Sequence, residues 1–270
     1  MEKFLTIASV VVTGSSGYVG TATTELLINN GYKVIKFDNK NGNDVRNIFK
    51  LFYVSLKKPK AIIHLSAKKS IPESIKNPVS YYLNNLLSTL VVGIVSRVLN
   101  VPVVFASSAA IYNPTNPYAK SKLIEERFLN FLCKKIAVLR YFNIVGKTDT
   151  VYDNESTNIF SIIGRSKVIN INSTESTRDY VNILDIAKAN VLAMEYLQDH
   201  KSLTTDIFTG NQKTMLEVIE EYKKNGSDVS YNILDLPDNT IIPKIDKRAI
   251  LGWTPSVSFS KSILSEINHR

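Results

Sequence analysis

Residues 8–31 read ASVVVTGSSGYVGTATTELLINNG, and this stretch decides the fold. Ala8–Thr13 is an apolar, β-branched run, the pattern of a parallel strand buried on both faces. Gly14, Gly17 and Gly20 follow at the spacing G-x-x-G-x-x-G. Glycines so placed allow a tight turn, close approach of backbone to a pyrophosphate, and close packing of helix on strand. Tyr18–Asn29 has helical spacing and Asn30-Gly31 ends it. The start of that helix presents free N–H groups suited to phosphate. Lys33–Phe37 reads as a second strand ending at Asp38, where a carboxylate accepts hydrogen bonds from ribose hydroxyls and disfavours a 2′-phosphate. The expected cofactor is therefore NAD rather than NADP.

Working outward, strand and helix patterns alternate. Lys60–Ser66 reads as a strand, Val79–Leu99 as a long helix, Val101–Ser107 as a strand, Pro117–Cys133 as a helix and Ile136–Phe142 as a strand. Repeated β-α-β units predict an α/β fold, a Rossmann-type doubly wound parallel sheet with helices on both faces. After about Gly146 the rhythm breaks. Thr148–Thr157 is polar, Lys167–Ile171, Asp206–Thr209 and Val229–Ile233 are short strand candidates, and Ile183–Leu197, Thr214–Lys224 and Phe259–Ile267 are helix candidates. The expected division is a cofactor domain over 1–150, with helix 183–198 packing back on it, and a smaller C-terminal α+β lobe over 151–270 without a parallel sheet of its own.

Composition removes other classes. Of 270 residues 44% are hydrophobic and 21% charged, ordinary usage for a folded domain. A lone cysteine, Cys133, leaves no intramolecular disulfide or cysteine-cluster metal site, and histidines at 64, 200 and 269 are too scattered for a histidine site. No metal is expected. The net charge of +9 raises the question of nucleic acid, but the lysines occur in short groups beside apolar runs, the pattern of a solvated surface. No targeting segment is read at the start, and polar residues within Asn77–Ser96 favour a core helix over a membrane span. A soluble, cytoplasmic protein is expected.

Tyr118 and Lys122 lie four apart on a predicted helix and share a face. An ammonium near a phenol stabilises the phenolate, which makes a general base. Just upstream, Ser107-Ser108 closes a strand, where parallel sheets bind ligands. Ser108, Tyr118 and Lys122 can therefore meet over a bound nicotinamide.

With these residues in place, the chain resembles the extended short-chain dehydrogenase/reductases, and among them the UDP-glucose 4-epimerases. The glycine motif with Gly14, Gly17, Tyr18 and Val19, and then Asp38-Asn39, resemble the family's opening; Asp44-Val45 resembles its adenine-contacting pair. Leu65, Ser66, Ala67 and Lys69 resemble its post-strand cofactor segment, with Lys69 implied at the NAD ribose. Asn85 stands at the start of its nicotinamide-side helix, and Tyr141 in Arg140-Tyr141-Phe142-Asn143 on its nicotinamide-side strand. The resemblance implies Ser108, Tyr118 and Lys122 as catalytic residues, the last two also on NAD, and Ser108, Asn143, Asn158 and Arg178 on the nucleotide sugar. Leu251-Gly252-Trp253-Thr254-Pro255 resembles the family's C-terminal L-G-W-x-P.

The implied activity is C4 epimerisation of a nucleotide-linked hexose through a 4-keto intermediate, UDP-glucose and UDP-galactose first. Related dehydratases carry an acidic pair after the serine, where this chain has Ala109-Ala110. The connections from Asp38 to Asp44 and from Ser108 to Tyr118 are short for the family. Leu236 stands where the family has an arginine for the diphosphate, leaving Arg178, with Lys244 and Arg248 as candidate substitutes. The alternatives are a nucleotide-sugar reductase, an epimerase of another sugar nucleotide, and an NAD-binding regulatory protein with a vestigial site. No nucleic-acid or membrane partner is expected. A homodimer is, through the helices Val79–Leu99 and Pro117–Cys133.

Overall fold

The computed structural model describes residues 7–153, 159–234 and 240–268. β1 (Ser9–Thr13) leads through the glycine turn into α1 (Tyr18–Asn29), then β2 (Lys33–Phe37), α2 (Ile48–Ser55), β3 (Ile62–His64), α3 (Ile71–Lys76), α4 (Pro78–Leu99), β4 (Val103–Ser108), α5 (Pro117–Leu132) and β5 (Ile136–Tyr141). Short strand β6 (Asn143–Val145), α6 (Ile159–Arg165), β7 (Val168–Ile171), β8 (Thr177–Asn182), α7 (Ile183–Asp199) and β9 (Ser202–Ile207) follow. β10 (Gln212–Thr214), α8 (Met215–Lys224), β11 (Ser230–Ile233) and α9 (Phe259–Asn268) complete it.

The main sheet has six strands in the order β2-β1-β3-β4-β5-β9, every neighbouring pair parallel. Alternation along the strands feeds two cores. Val10, Val12, Ile63, Val104 and Leu139 pack beneath α1 and α7 with Leu27, Ile186 and Met194. Val11, Ile62, Phe105 and Val138 pack beneath α2, α4 and α5 with Leu51, Val92 and Leu129. The doubly wound parallel fold is thus observed.

β9 corrects the sequence division. It pairs with β5 from Ile136↔Ser202 to Tyr141↔Ile207, four residues ahead of the strand read at Asp206. α7 lies against α1 and then returns the chain beside β5. A boundary at residue 150 therefore cuts through the main sheet. The expectation that the second lobe lacks parallel pairing is also corrected. β7 pairs with β11 in parallel, and β6 with β8 in parallel, while β10 closes on β8 antiparallel. Long helical connections between the paired strands permit this.

α4 is long and apolar, with mean hydropathy 1.4 over its best 18-residue window, and would pass for a membrane span by composition. It is instead a layer of the α/β fold, packed on α5 and α2, with Asn85, Ser88 and Thr89 on its buried face. At the far end of the chain, Trp253 Nε1 donates to the Asp185 carbonyl on α7 at 2.8 Å, and the Asp185 carboxylate accepts the Ser256 and Val257 N–H groups. That clasp ties the C-terminal segment to the helix covering the sheet.

The tightest constraint is glycine against glycine. A Cβ on Gly20 would lie 1.9 Å from the Gly14 carbonyl oxygen, and Gly14 itself has φ +69°. Neither atom can retreat without moving β1 or α1. Gly20→Ala is expected to cost about 1–3 kcal/mol or more, lowering the melting midpoint by about 2–4 °C per kcal/mol lost; differential scanning calorimetry of the variant against the parent checks this.

Candidate active site

The C-terminal ends of the parallel strands share one edge, so residues after Thr13, Phe37, His64, Ser108 and Tyr141 converge there. At β1 the turn is built by Gly14, whose N–H donates to the Phe37 carbonyl at 2.7 Å. Gly17 caps α1 without any side-chain bond, so no side chain covers the first N–H groups of the helix. Asp38, half-buried at the end of β2, accepts Ser16 N–H at 3.0 Å and Lys40 N–H at 2.9 Å. Its carboxylate thus sits against the glycine turn, with Asn39 exposed beside it. Asp44 is gripped by Arg46 through 2.6–3.0 Å contacts, and the guanidinium holds its carboxyl below the usual range. Val45 is a buried core residue.

The segment after β3 is fixed from both sides. Leu65 and Ser66 N–H groups donate to Thr13 Oγ1. The Asn85 side chain clasps Lys68 through both its backbone groups, at 2.9 and 3.1 Å, and donates to Ser121. Asn85 is fully buried. Its amide shapes the 65–69 segment. The Tyr141 hydroxyl donates to Asn190 at 2.6 Å, while its residue lines the cleft. Lys69 crosses the cleft to Asp153, 2.9 Å from both carboxylate oxygens, and lies over the Tyr18 ring. Tyr18 donates from its hydroxyl to the Gly146 carbonyl. Val19 packs against the core beneath.

Tyr118 joins two adjoining cavities. One, of about 480 Å³, is lined by Ser108, Ala109, Ala110, Asn113, Asn116, Tyr118, Asn143 and Arg178, with Ile71, Ile75 and Ile241 as apolar wall. The other, of about 620 Å³, takes in Tyr118, Asn143, Arg178, Lys69, Asp153, Asn172 and Tyr180. Ser108 Oγ accepts the Ala110 N–H at 3.2 Å as a cap, which leaves its own proton to donate. Asn143 donates to the Asp179 carbonyl and Arg178 to the Thr177 carbonyl, so both are oriented. Lys122 is buried on the same helix face; its Nζ donates to the Ala106 carbonyl at 3.0 Å and to Glu125 at 3.2 Å.

Asn158 and Leu236 lie outside the described residues. Of the substitutes for the missing arginine, Arg248 is engaged elsewhere: Asp246 holds it, and its guanidinium stacks 3.5 Å from the Phe208 ring centre. Lys244 lies over the Tyr112 ring. Among the described residues lining these two cavities, the cations are Lys69 and Arg178.

Three features escaped the sequence reading. Asp153 pairs with Lys69 from 84 residues away. Glu126 on α5 accepts Ser107 Oγ at 2.5 Å and pairs with Arg140 at 2.7 Å, bracing the strand end that carries Ser108. Glu125 pairs with Lys122. Only the last carried a local signal, an acid three residues after a lysine on one helix. His64 forms a buried link, with Nδ1 2.7 Å from Thr13 Oγ1 and Nε2 3.2 Å from Thr89 Oγ1, and burial, then Lys122, push its pKa down to about 3.

The fold and the cleft define a dinucleotide-binding enzyme of the extended short-chain dehydrogenase/reductase class. The profile of the NAD dependent epimerase/dehydratase family matches residues 10–207, and the chain belongs to that family. It is 30% identical over 312 aligned positions to a UDP-glucose 4-epimerase of Rhizobium leguminosarum bv. trifolii, with 95% of each chain covered. Its fold superposes on the crystal structure of UDP-glucose 4-epimerase from Bifidobacterium longum in complex with NAD+ and UDP, with TM-score 0.86, 26% identity, and 97% and 98% of the two chains covered. The Brucella ovis UDP-glucose 4-epimerase in complex with NAD shares the fold at TM-score 0.87 and 24% identity, over 97% and 98% of the chains.

The buried His64 sets a pH dependence of stability. Its folded pKa is about 3 against an ordinary 6.5. The unfolded chain therefore binds the extra proton first as pH falls. Stability is lost between about pH 6.5 and 3, by up to about 1.4 kcal/mol per pH unit from this group. Urea unfolding of His64→Gln and the parent across that window is expected to give a shallower loss in the variant.

Proposed function

We propose that this chain is an NAD-dependent isomerase that inverts C4 of a nucleotide-linked hexose, interconverting UDP-glucose and UDP-galactose. One observation carries the reading: Ser108, Tyr118, Asn143 and Arg178 line a single cavity at the sheet edge where the glycine turn and Asp38 also lie. Relatives that carry this activity, matched over almost the whole chain, support it.

The residues present fit NAD. The turn leaves no room for a Cβ at Gly14 or Gly20, the first N–H groups of α1 lack a side-chain cap, and Asp38 stands at the end of β2 as a ribose acceptor. Leu65, Ser66, Ala67 and Lys69 would wall it on one side, with Tyr118 and Lys122 at the nicotinamide ribose. Bound NAD supplies a reversible hydride acceptor for the sugar C4.

The remaining work falls to the chain. Tyr118 takes the proton of the C4 hydroxyl and later returns it, and Ser108 donates its hydroxyl proton to the same oxygen. Lys122 supplies the positive charge that favours the phenolate. Arg178 and Asn143 hold the nucleotide end by charge-assisted and neutral hydrogen bonds, so that the 4-keto sugar can turn over while its diphosphate stays fixed. Ala109 and Ala110 line the cavity without an acid to drive loss of water. Tyr118→Phe is expected to lower kcat for UDP-galactose by at least about 100-fold with the melting midpoint unchanged. Turnover at the parent rate would remove Tyr118 from the mechanism.

We also propose a cytoplasmic homodimer. α4 exposes Leu83, Leu87 and Leu90 at helical spacing, and α5 exposes Phe128 and Phe131, the last 82% exposed. An apolar face of this kind on two adjacent helices suits a second copy of the chain. Phe131→Glu together with Leu87→Glu is expected to give monomers by light scattering; an unchanged mass would exclude this face.

A further inference from the structure

Lys122 does not stand alone. Its ammonium is almost fully buried, 4.7 Å above the centre of the Phe105 ring, with donors on the Ala106 carbonyl and on Glu125 Oε2. Glu125 is fully buried. Its Oε2 also accepts the Thr89 hydroxyl at 3.0 Å, while its Oε1 has no hydrogen-bond partner. Burying a carboxylate with one oxygen unpartnered is unfavourable unless a cation offsets it, and Lys122 is the cation in contact. An ammonium has three N–H donors. Two are taken here, by Ala106 and by Glu125, so the pair fixes both the place of the ammonium and the direction left for its third donor.

We propose that Glu125 is a positioning residue for the tyrosine–lysine pair: its carboxylate holds the Lys122 ammonium against the Ala106 carbonyl and offsets part of the positive field that Lys122 exerts on Tyr118. The inference rests on the reading of Tyr118 and Lys122 as the working pair. Tyr118, Lys122 and Glu125 lie on successive turns of one face of α5, with Lys122 between the other two along the helix.

Other charges near this site are neutralised or differently placed. His64 on β3 is neutral, its pKa pushed down to about 3 chiefly by burial. Glu126, next on α5, is engaged with Arg140 of β5, which also donates to the Tyr112 hydroxyl in the 3-10 turn after β4. Glu73 on α3 is engaged with Tyr81 and Lys68. α4 faces the pair with Asn85 and Thr89 and carries its one charged residue, Arg97, exposed in its last turn. Arg178 lines the same cavity as Tyr118. Glu125 is thus the carboxylate in direct contact with the catalytic lysine.

The test uses two neutral replacements, Glu125→Gln and Glu125→Met, with folding checked by circular dichroism. Without the carboxylate the lysine acts on the phenol unopposed. The acidic limb of log kcat against pH is expected to move to lower pH by about half a unit to one unit in both, with KM for the sugar nucleotide unchanged because Glu125 does not line the cavity. The second readout needs no turnover: the ultraviolet absorbance of the Tyr118 phenolate in NAD-free protein, isolated by subtracting the matching Tyr118→Phe background, is expected to appear at lower pH in both variants. Thr89→Val removes a neutral donor from the same oxygen and keeps the charge; its limb is expected to coincide with the parent's. Folded neutral variants that titrate as the parent does, a limb that moves to higher pH, or an equal shift in Thr89→Val would each overturn the proposal. A parent protein that converts no sugar nucleotide would defeat the functional reading instead, and the absorbance titration would still decide the role of Glu125.

Discussion

The approach of α1 to the Gly14 carbonyl, closer than any side chain would permit, is the contact on which the rest of the structure depends. It lets the helix start directly above the end of β1 and points its uncapped N–H groups along the sheet edge. The same turn lets Gly14 and Ser16 reach the end of β2, where Phe37 and Asp38 receive them. With every strand of the sheet parallel to β1, each later strand delivers its C-terminal residues to that edge. The cleft is therefore a consequence of topology first and of particular side chains second.

Around that edge the buried charges are all engaged. Lys122 has Glu125, Arg140 has Glu126, and Lys147 has Glu266. The Asp179 carboxylate takes the Thr209 and Gly210 N–H groups, and Asp185 takes those of Ser256 and Val257. Such groups add little net stability compared with well-packed apolar residues, but breaking one pair is costly because it leaves a bare charge. Their effect is positional. Glu126 and Arg140 brace the strand ends beside Ser108 and Tyr141. Asp179 fixes the loop after β9 against the strand that carries Arg178. The second lobe is thus joined to the sheet by polar clasps at the places where substrate-facing residues emerge.

Legibility in the sequence followed pattern length. α1, α5, α7 and the central strands are long or strongly apolar, and their boundaries fall within a few residues of the sequence reading. The reading did not find α2, α3, β6 and β10, which are short and half-exposed, so that neither period is sampled for more than a turn or a few residues, nor β8, a largely buried strand whose polar residues Thr177, Arg178, Asp179 and Asn182 hide its pattern. β9 was seen but displaced and assigned to the wrong neighbourhood, because its polar run Thr204-Thr205-Asp206 does not read as a buried strand until α7 brings it beside β5. Among the residues that line the cavity, Ser108 and Tyr118 were picked out by position and spacing, and Asn143 and Arg178 only by the family resemblance. The hydrogen-bond partners of Asn85 and of the Tyr141 hydroxyl were not readable, since Lys68 and Asn190 are brought to them only by packing.

By itself the sequence determined the sheet class, the cofactor turn and the chemical types gathered at its edge. Glycine spacing, strand hydrophobicity and helical periodicity are local properties, and each has few physical solutions. The tertiary structure decided how the charges pair and what each polar group has left to offer. Whether Lys122 faces a carboxylate, whether Lys69 reaches Asp153, and whether Arg248 remains free for a ligand depend on groups brought together from distant segments. At those contacts the energy turns on distance and burial, quantities that a residue's place in the chain does not contain.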